Sequence, residues 1–450
     1  MHTWTARDCA TRVASRAVRA VDVARHFVAR VEQLNPALNA IVRFDPETVI
    51  AEALAVDRRL DAGEVLPMAG VPVTIKDNLW VGGRTVTQGS RLFADFTAPR
   101  DAWAVARLRE RGAVVLGLTN CSEFACKGVT DNRVHGATRH PLDPRLTPGG
   151  SSGGAAAAMV AGLGLLALGT DAGGSVRRPA AHCGLVGHKP SQGAVPHPWG
   201  FAEPNYGVSV VGLFARDVAD CAWAFDHLHA FDAGDPSAPP LRVAAPPARG
   251  PLRLAWSEHL GCGHAVDADV LDALREKVAR LRDAGWSVVD ADPFTPDLVE
   301  PPLAVLQHAG LHALYGSAMQ TRRADFDPHL AAQIDAGADV SPEAIGAALR
   351  LRERVSLALS TFFTHHDVLL CPTTPVTAWP LDQLGPSVIG GRPADPRGHA
   401  AFTPLFNVAG VPACSVPAGL VRGLPVGLQV VAPKHEDHRV FHVAAALVSA

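Results

Sequence analysis

Three residues stand out by type and setting: Lys76, Ser151 and Ser175. Ser151 lies in Gly149-Gly150-Ser151-Ser152-Gly153-Gly154, and Ser175 in Asp171-Ala172-Gly173-Gly174-Ser175-Val176-Arg177. A serine set among glycines sits on backbone that can take conformations closed to other residues. A serine nucleophile needs a base, and it needs donors aimed at the developing oxyanion. The successive amides of Ala172, Gly173, Gly174 and Ser175 carry little side-chain obstruction and can form an anion-binding nest. Lys76 ends the β-branched run Val71-Pro72-Val73-Thr74-Ile75. A lysine carried toward the core by such a strand loses its proton more readily than the usual ~10.4 implies, and can serve as the base. A second serine can relay the proton between them. Singly these features are weak, since glycine-serine loops are usually turns and most lysines are solvated. Together they make a stronger case for a serine nucleophile served by a lysine base.

Other chemistries fit less well. No Gly-Lys-Ser/Thr follows Gly149–Gly154, so it is not a phosphate loop. Ser175 does not sit in Gly-x-Ser-x-Gly, and none of the 20 histidines forms His-Glu-x-x-His. A Ser-His-Asp arrangement stays open, because many histidines can approach Ser175 in space. Cys121 and Cys126 lack a second pair at zinc spacing, and ordinary packing is the better reading of them.

The elements that must position these residues read as α/β. Ala155 to Gly162 suits a tightly packed helix, because alanine has the best helix propensity. Leu163 to Leu168, bounded by Gly162 and Gly169, suits a buried strand, although periodicity alone leaves helix open. The serine loops thus frame a helix and a strand. Before them, apolar residues from Val13 to Leu34 recur at helical spacing, and Asn35-Pro36 predicts a break. Asn39–Phe44 reads as a short strand, and Asp45-Pro46 starts a helix through Leu60. Ala102–Gly112 reads as helix and Ala113–Asn120 as strand, the rhythm of a sheet covered by helices. Ala230 to Leu252 is rich in Pro, Gly and Ala, like a linker. Strands near 252–256 and 286–289 flank a helix over 267–284. Residues 298–366 read as mostly helical, Asp367–Pro372 as a strand, and His438–Leu447 as a closing helix.

Bulk properties agree with an ordinary folded enzyme. The 450 residues are 48% hydrophobic and 19% charged, which excludes a disordered chain. A formal charge of −3 gives no global attraction to nucleic acid or anionic membrane. No apolar run approaches the ~18 residues of a membrane span. Arg7, Asp8, Arg12, Arg16 and Arg19 interrupt the first twenty residues, so no signal-peptide core is expected. Eight scattered cysteines suggest reduced thiols and a cytoplasmic location.

The stretch from Gly149 through Arg177 resembles the signature of the amidase signature family, and Val73-Thr74-Ile75-Lys76-Asp77-Asn78 resembles that family's lysine motif. The spacings of 75 residues from Lys76 to Ser151 and 24 from Ser151 to Ser175 agree with it. The resemblance extends over Gly112–Phe124, Gly184–Pro190, Asp367–Pro375 and Phe402–Ala432. It implies an α/β amidase signature fold, a large twisted mixed β-sheet with helices on both faces. The chain would then be one amidase domain over 1–450. Within it, 1–62 forms an N-terminal helical segment and 63–230 the catalytic core. Residues 231–252 form a Pro-rich connection, 253–366 a mostly helical cover over the substrate pocket, and 367–450 the closing strands and helix.

By the same resemblance, Ser175 is the nucleophile, Ser151 the bridging serine after a cis Gly150–Ser151 peptide, and Lys76 the neutral base. The amides of Ala172, Gly173, Gly174 and Ser175 would form the oxyanion hole. Gly150, Ser152, Asp171 and Arg177 would support the site, with Asp171 pairing to Arg177 and Ser152 packing or capping the following helix. No metal or organic cofactor is implied. The expected reaction is hydrolysis of a small to medium, largely apolar amide through a Ser175 acyl-enzyme. Trp199, Phe201, Tyr206, Trp379 and Phe402 are the candidate pocket walls, with core packing the ordinary alternative for each. The expected partner is a small-molecule amide, with neither nucleic acid nor membrane, and a homodimer is a family-level expectation. Three alternatives stand beside this. One is a glutamyl-tRNA amidotransferase A-like subunit that releases ammonia from glutamine with partner subunits. Another is a non-catalytic binding protein on the same scaffold, and a third is a Ser-His hydrolase. Two positions depart from the family pattern: Arg178 replaces a usual apolar residue, and His188 a usual leucine.

Overall fold

A computed structural model of the chain describes residues 1–239, 251–298 and 303–449. The expected connection over 231–252 therefore lies partly outside the described residues. The strands in chain order are β1 (Ile41–Arg43), β2 (Pro72–Lys76), β3 (Val114–Thr119), β4 (Leu166–Asp171), β5 (Val186–Lys189), β6 (Val210–Ala215), β7 (Leu254–Trp256), β8 (Val288–Asp290), β9 (Val368–Pro372), β10 (Val388–Ile389), β11 (Arg392–Pro393), β12 (Ala413–Val421) and β13 (Leu424–Val431). Among the described residues eleven of them form one mixed sheet, ordered β1-β3-β2-β4-β6-β5-β12-β13-β9-β7-β8, while β10 and β11 pair separately.

The near-continuous apolar runs of the sequence become strands buried on both faces, as helix-covered sheets require. Every residue of β2, β3, β4, β5, β6 and β9 is buried. The core runs along this sheet and takes in Phe27 on one covering helix and Leu274 on another. β2 runs parallel to both β3 and β4, with Ile75 opposite Leu168, so their carboxyl ends open on the same edge.

Several boundaries differ from the sequence reading. The helix Ala20–Leu38 runs through Pro36 rather than breaking at Asn35. Pro36 falls in its last turn, and Asn35 takes over the termination: its Oδ1 accepts from the amides of Ala40 and Ile41 at 3.0 and 2.8 Å. β4 starts at Leu166, three residues later than the apolar run, and continues through Thr170 to Asp171. That shift carries two polar residues into the heart of the sheet. Helix Gly153–Val160 follows directly from the first serine loop. It seats so closely that a Cβ on Gly154 would lie 2.5 Å from the backbone of Asn120.

Candidate active site

Lys76 reaches its position because β2 ends beside β4. Its side chain is fully buried, and its Nζ donates to Ser151 Oγ at 2.6 Å and to Thr170 Oγ1 at 3.0 Å. Asn78 Nδ2 donates to the same Thr170 hydroxyl at 2.9 Å. Burial lowers the pKa of Lys76 to about 8, against the smaller opposing influence of the Cys121 thiol and Asp171. No carboxylate is hydrogen-bonded to the amine among the described residues, so its surroundings favour the neutral form.

Ser151 is buried and follows a cis Gly150–Ser151 peptide bond. Thr130 holds this loop: its hydroxyl donates to Gly149 O and accepts from Gly153 N, both at 2.9 Å. Ser152 stands at the helix N-cap position, but its side chain makes no cap hydrogen bond. Its hydroxyl points to Thr170 O at 3.4 Å, and its amide donates to Ser175 O at 3.3 Å. Ser152 thus ties the two serine loops together through the backbone rather than capping the helix. Among the hydrogen bonds of the described residues, none joins Ser151 Oγ to Ser175 Oγ.

The Ser175 loop is built on Asp171 and Arg177. Arg177 lays Nη2 and Nε on the two Asp171 oxygens at 2.9 and 3.0 Å, and both side chains are wholly buried. The rest of the guanidinium donates to Gln429 Oε1, Thr403 O and Asn407 Oδ1. Burial pushes the Asp171 carboxyl up, but Arg177 and Asn407 outweigh it and hold it well below the usual carboxylate range. Asp171 also accepts from the amides of Gly174 at 2.7 Å and Val176 at 3.1 Å. This amends the expected oxyanion cradle. The Gly174 amide is already committed to a carboxylate, which leaves Ala172, Gly173 and Ser175. Gly174 itself has φ +108°, and a Cβ there would lie 2.2 Å from Thr403 Oγ1. Only glycine fits that turn.

Ser175 opens onto two cavities. One, of about 230 Å³, is lined by Gly128, Arg178, Gln307, Arg397 and His399 together with Ala172 and Gly173. The other, of about 380 Å³, is lined by Asn78, Thr170, Phe124, Phe201 and Glu203. Of the five aromatic residues picked as walls, only Phe201 lines either cavity, packed on Phe93 and Phe96 at 5.0 and 5.1 Å between ring centroids. Trp199 turns away to donate to Asp101 O at 2.8 Å. Tyr206 is half exposed, and Phe402 is in the core. Trp379 is buried against His182 and His399. The small cavity therefore holds basic side chains, Lys127, Arg178 and Arg397, and none of the five expected rings. The two unusual residues also find places. His188 Nε2 meets Asp437 Oδ1 at 3.1 Å and pins the closing helix to β5. Arg178 faces the small cavity.

The family model for Amidase matches residues 22–441. The chain belongs to the amidase signature family. It is 36% identical to an acylamidase of Rhodococcus erythropolis, across 99% of this chain and 95% of that protein. It is 34% identical to the A subunit of the glutamyl-tRNA(Gln) amidotransferase from Symbiobacterium thermophilum, across 94% and 92% of the two chains. The crystal structure of a bacterial aryl acylamidase of the amidase signature family superposes with a TM-score of 0.90 at 30% identity, covering 99% of this chain and 96% of that one. As a member of this family the protein is a hydrolase acting on amide C–N bonds, and its fold is the mixed α/β fold of these amidases.

Sequence reasoning missed the polar residues that complete the site. Thr170 and Asn78 flank the lysine, and Asn407 and Gln429 hold Arg177. Thr170 carried a signal, a hydroxyl at the end of an apolar strand just before Asp171. Asn407 and Gln429 come from the last fifth of the chain, and nothing local announces that they return to the Ser175 loop.

Proposed function

We propose that the protein hydrolyses a linear carboxylic amide through an acyl-enzyme on Ser175. The reading rests above all on one observation, the 2.6 Å hydrogen bond to Ser151 Oγ from a buried Lys76 whose hydrogen-bond partners are hydroxyls alone. The substrate carbonyl sits against the amides of Ala172, Gly173 and Ser175. Ser175 Oγ attacks the carbonyl carbon; its proton passes to Ser151 Oγ, whose own proton passes to Lys76 Nζ. The negative charge that collects on the carbonyl oxygen is met by the three amides. As the C–N bond breaks, the proton returns through Ser151 to the leaving nitrogen, and ammonia or an amine departs. Water then attacks the acyl-enzyme by the same route and releases the carboxylate. The Ser151–Ser175 contact closes with substrate bound, as catalytic hydrogen bonds in free enzymes often do. The relay needs neither a metal nor an organic cofactor.

Asp171 and Arg177 act as the brace that fixes the Ser175 turn. His399 is a poor candidate for the base. His399, in the small cavity, is buried, which with Arg178 beside it lowers its pKa, and its Nδ1 faces Arg178. A second reading, ammonia release from glutamine for a partner protein, draws on the resemblance to the A subunits of amidotransferases. It uses the same three residues. A fluorophosphonate probe followed by peptide mass spectrometry tests the proposal. An adduct on Ser175 that is absent in Ser175→Ala supports it; an adduct on another residue, or none on folded protein, refutes it.

A further inference from the structure

Two adjacent arginines in the Ser175 loop have opposite surroundings. Arg177 is neutralised by Asp171 within a complete set of hydrogen bonds. Arg178 is 7% exposed, yet its partners are two carbonyls and an imidazole: Gly174 O at 3.3 Å, Gly150 O at 3.3 Å and His399 Nδ1 at 3.1 Å. Among the described residues it forms no ion pair. Burial lowers its pKa to about 9, with Arg397 and Arg177 adding repulsion to the partial relief from Asp171. A guanidinium keeps its proton regardless, and buried charges are normally paired. Such a cation calls for an anion.

The geometry indicates where that anion belongs. Arg178 lines the small cavity that Ser175 also lines. Lys127 and Arg397 share its wall, and no Asp or Glu does. Lys127 is already paired with Asp131 and Asp327, at 2.6 and 2.7 Å. Arg397 is exposed. Arg178 is therefore the least exposed cation of the three, and its partners are all neutral. Thr170 and Asn78, which flank the Lys76 relay, line only the larger cavity. With the leaving nitrogen on the side of that relay, in the larger cavity, the acyl group would face the smaller.

We propose that the acyl group carries a carboxylate bound by Arg178, so that the substrates are monoamides of short dicarboxylic acids. This rests on Ser175 being the nucleophile. A volume of about 230 Å³ suits a short acyl chain. Glutamine fits less well, because its ammonium would enter a cavity with cationic walls and no carboxylate.

The test compares matched pairs on the wild-type enzyme: malonamate against 3-methylbutanamide, and succinamate against 4-methylpentanamide. Each pair differs only in a carboxylate replaced by an isopropyl group. The expected result is a kcat/KM about 100-fold higher for the charged member of at least one pair. Arg178→Met should collapse that ratio toward one, and Arg178→Lys should retain part of it. A merely structural role would lower both members alike and leave the ratio unchanged. Preference for the neutral member in both pairs, or a ratio that survives Arg178→Met, overturns the proposal. If the methionine variant does not fold, the wild-type ratio and the lysine variant decide. Fluorophosphonate labelling run in parallel separates the two readings: labelled Ser175 with a neutral preference sinks the Arg178 assignment alone. If no amide turns over, calorimetry of malonate and succinate on Ser175→Ala decides, and absence of binding to both overturns the proposal.

Discussion

Replacing Lys76 with methionine tests the electrostatic core of the site. The two side chains are of similar length, and the position is fully buried. In the folded protein, burial lowers the lysine pKa from 10.5 to about 8. Between those values the unfolded chain binds the proton and the folded one does not, so wild-type stability rises with pH across that window. Below it, folding must still accommodate a buried ammonium. At 1.36 kcal/mol per pKa unit, the shift costs the wild type roughly 3 kcal/mol near neutrality. Methionine carries no such cost, although it forfeits the hydrogen bonds to Ser151 and Thr170. The stability of Lys76→Met relative to wild type should therefore fall by about 2 kcal/mol as the pH is raised from roughly 7 to 9.5. Urea unfolding of both proteins at a series of pH values measures this difference, and other titrating groups largely cancel. A difference that stays flat across the range would mean Lys76 titrates in the fold as it does in water, and the neutral-base argument would fail.

Two further predictions concern the Ser175 turn. Arg177→Met removes one half of a wholly buried ion pair and leaves the Asp171 carboxylate without its guanidinium; a loss of about 3–5 kcal/mol is expected in urea unfolding, and an unchanged midpoint would argue that the pair does not brace the loop. Gly174→Ala puts a methyl group on a φ of +108° and against Thr403; about 1–3 kcal/mol of strain should appear in unfolding, with Ser175 labelling slowed at least about tenfold as the turn shifts. Labelling at the wild-type rate would show that the turn tolerates a side chain.

Much of the sheet was legible because its strands are buried on both faces and so appear as unbroken apolar runs, as with Ala113–Asn120 and Asp367–Pro372. Lys76 was legible for a related reason: a charge at the end of such a run has nowhere dry to go except the core edge. The errors share a cause. Ring chemistry marks Trp199, Tyr206, Trp379 and Phe402 as wall residues, but whether a ring faces a cavity depends on tertiary packing, which takes Trp199 to Asp101 and Phe402 into the core. The four-amide cradle failed at Gly174 because a carboxylate three residues back competes for its amide, a contact set by loop shape. Pro36 misled because its cost, a missing N–H and a ring against the carbonyl four residues back, falls on one turn only, here the last of the helix.

The most direct test of the central claim is the pH dependence of Ser175 inactivation by the fluorophosphonate probe, with the modified residue confirmed by mass spectrometry. A neutral Lys76 acting through Ser151 predicts a second-order rate constant that rises about tenfold per pH unit at acid pH and levels off near the lysine pKa of about 8. The rise should disappear in Lys76→Met. A rate independent of pH from roughly 6 to 9, or a wild-type profile retained without Lys76, would contradict the relay.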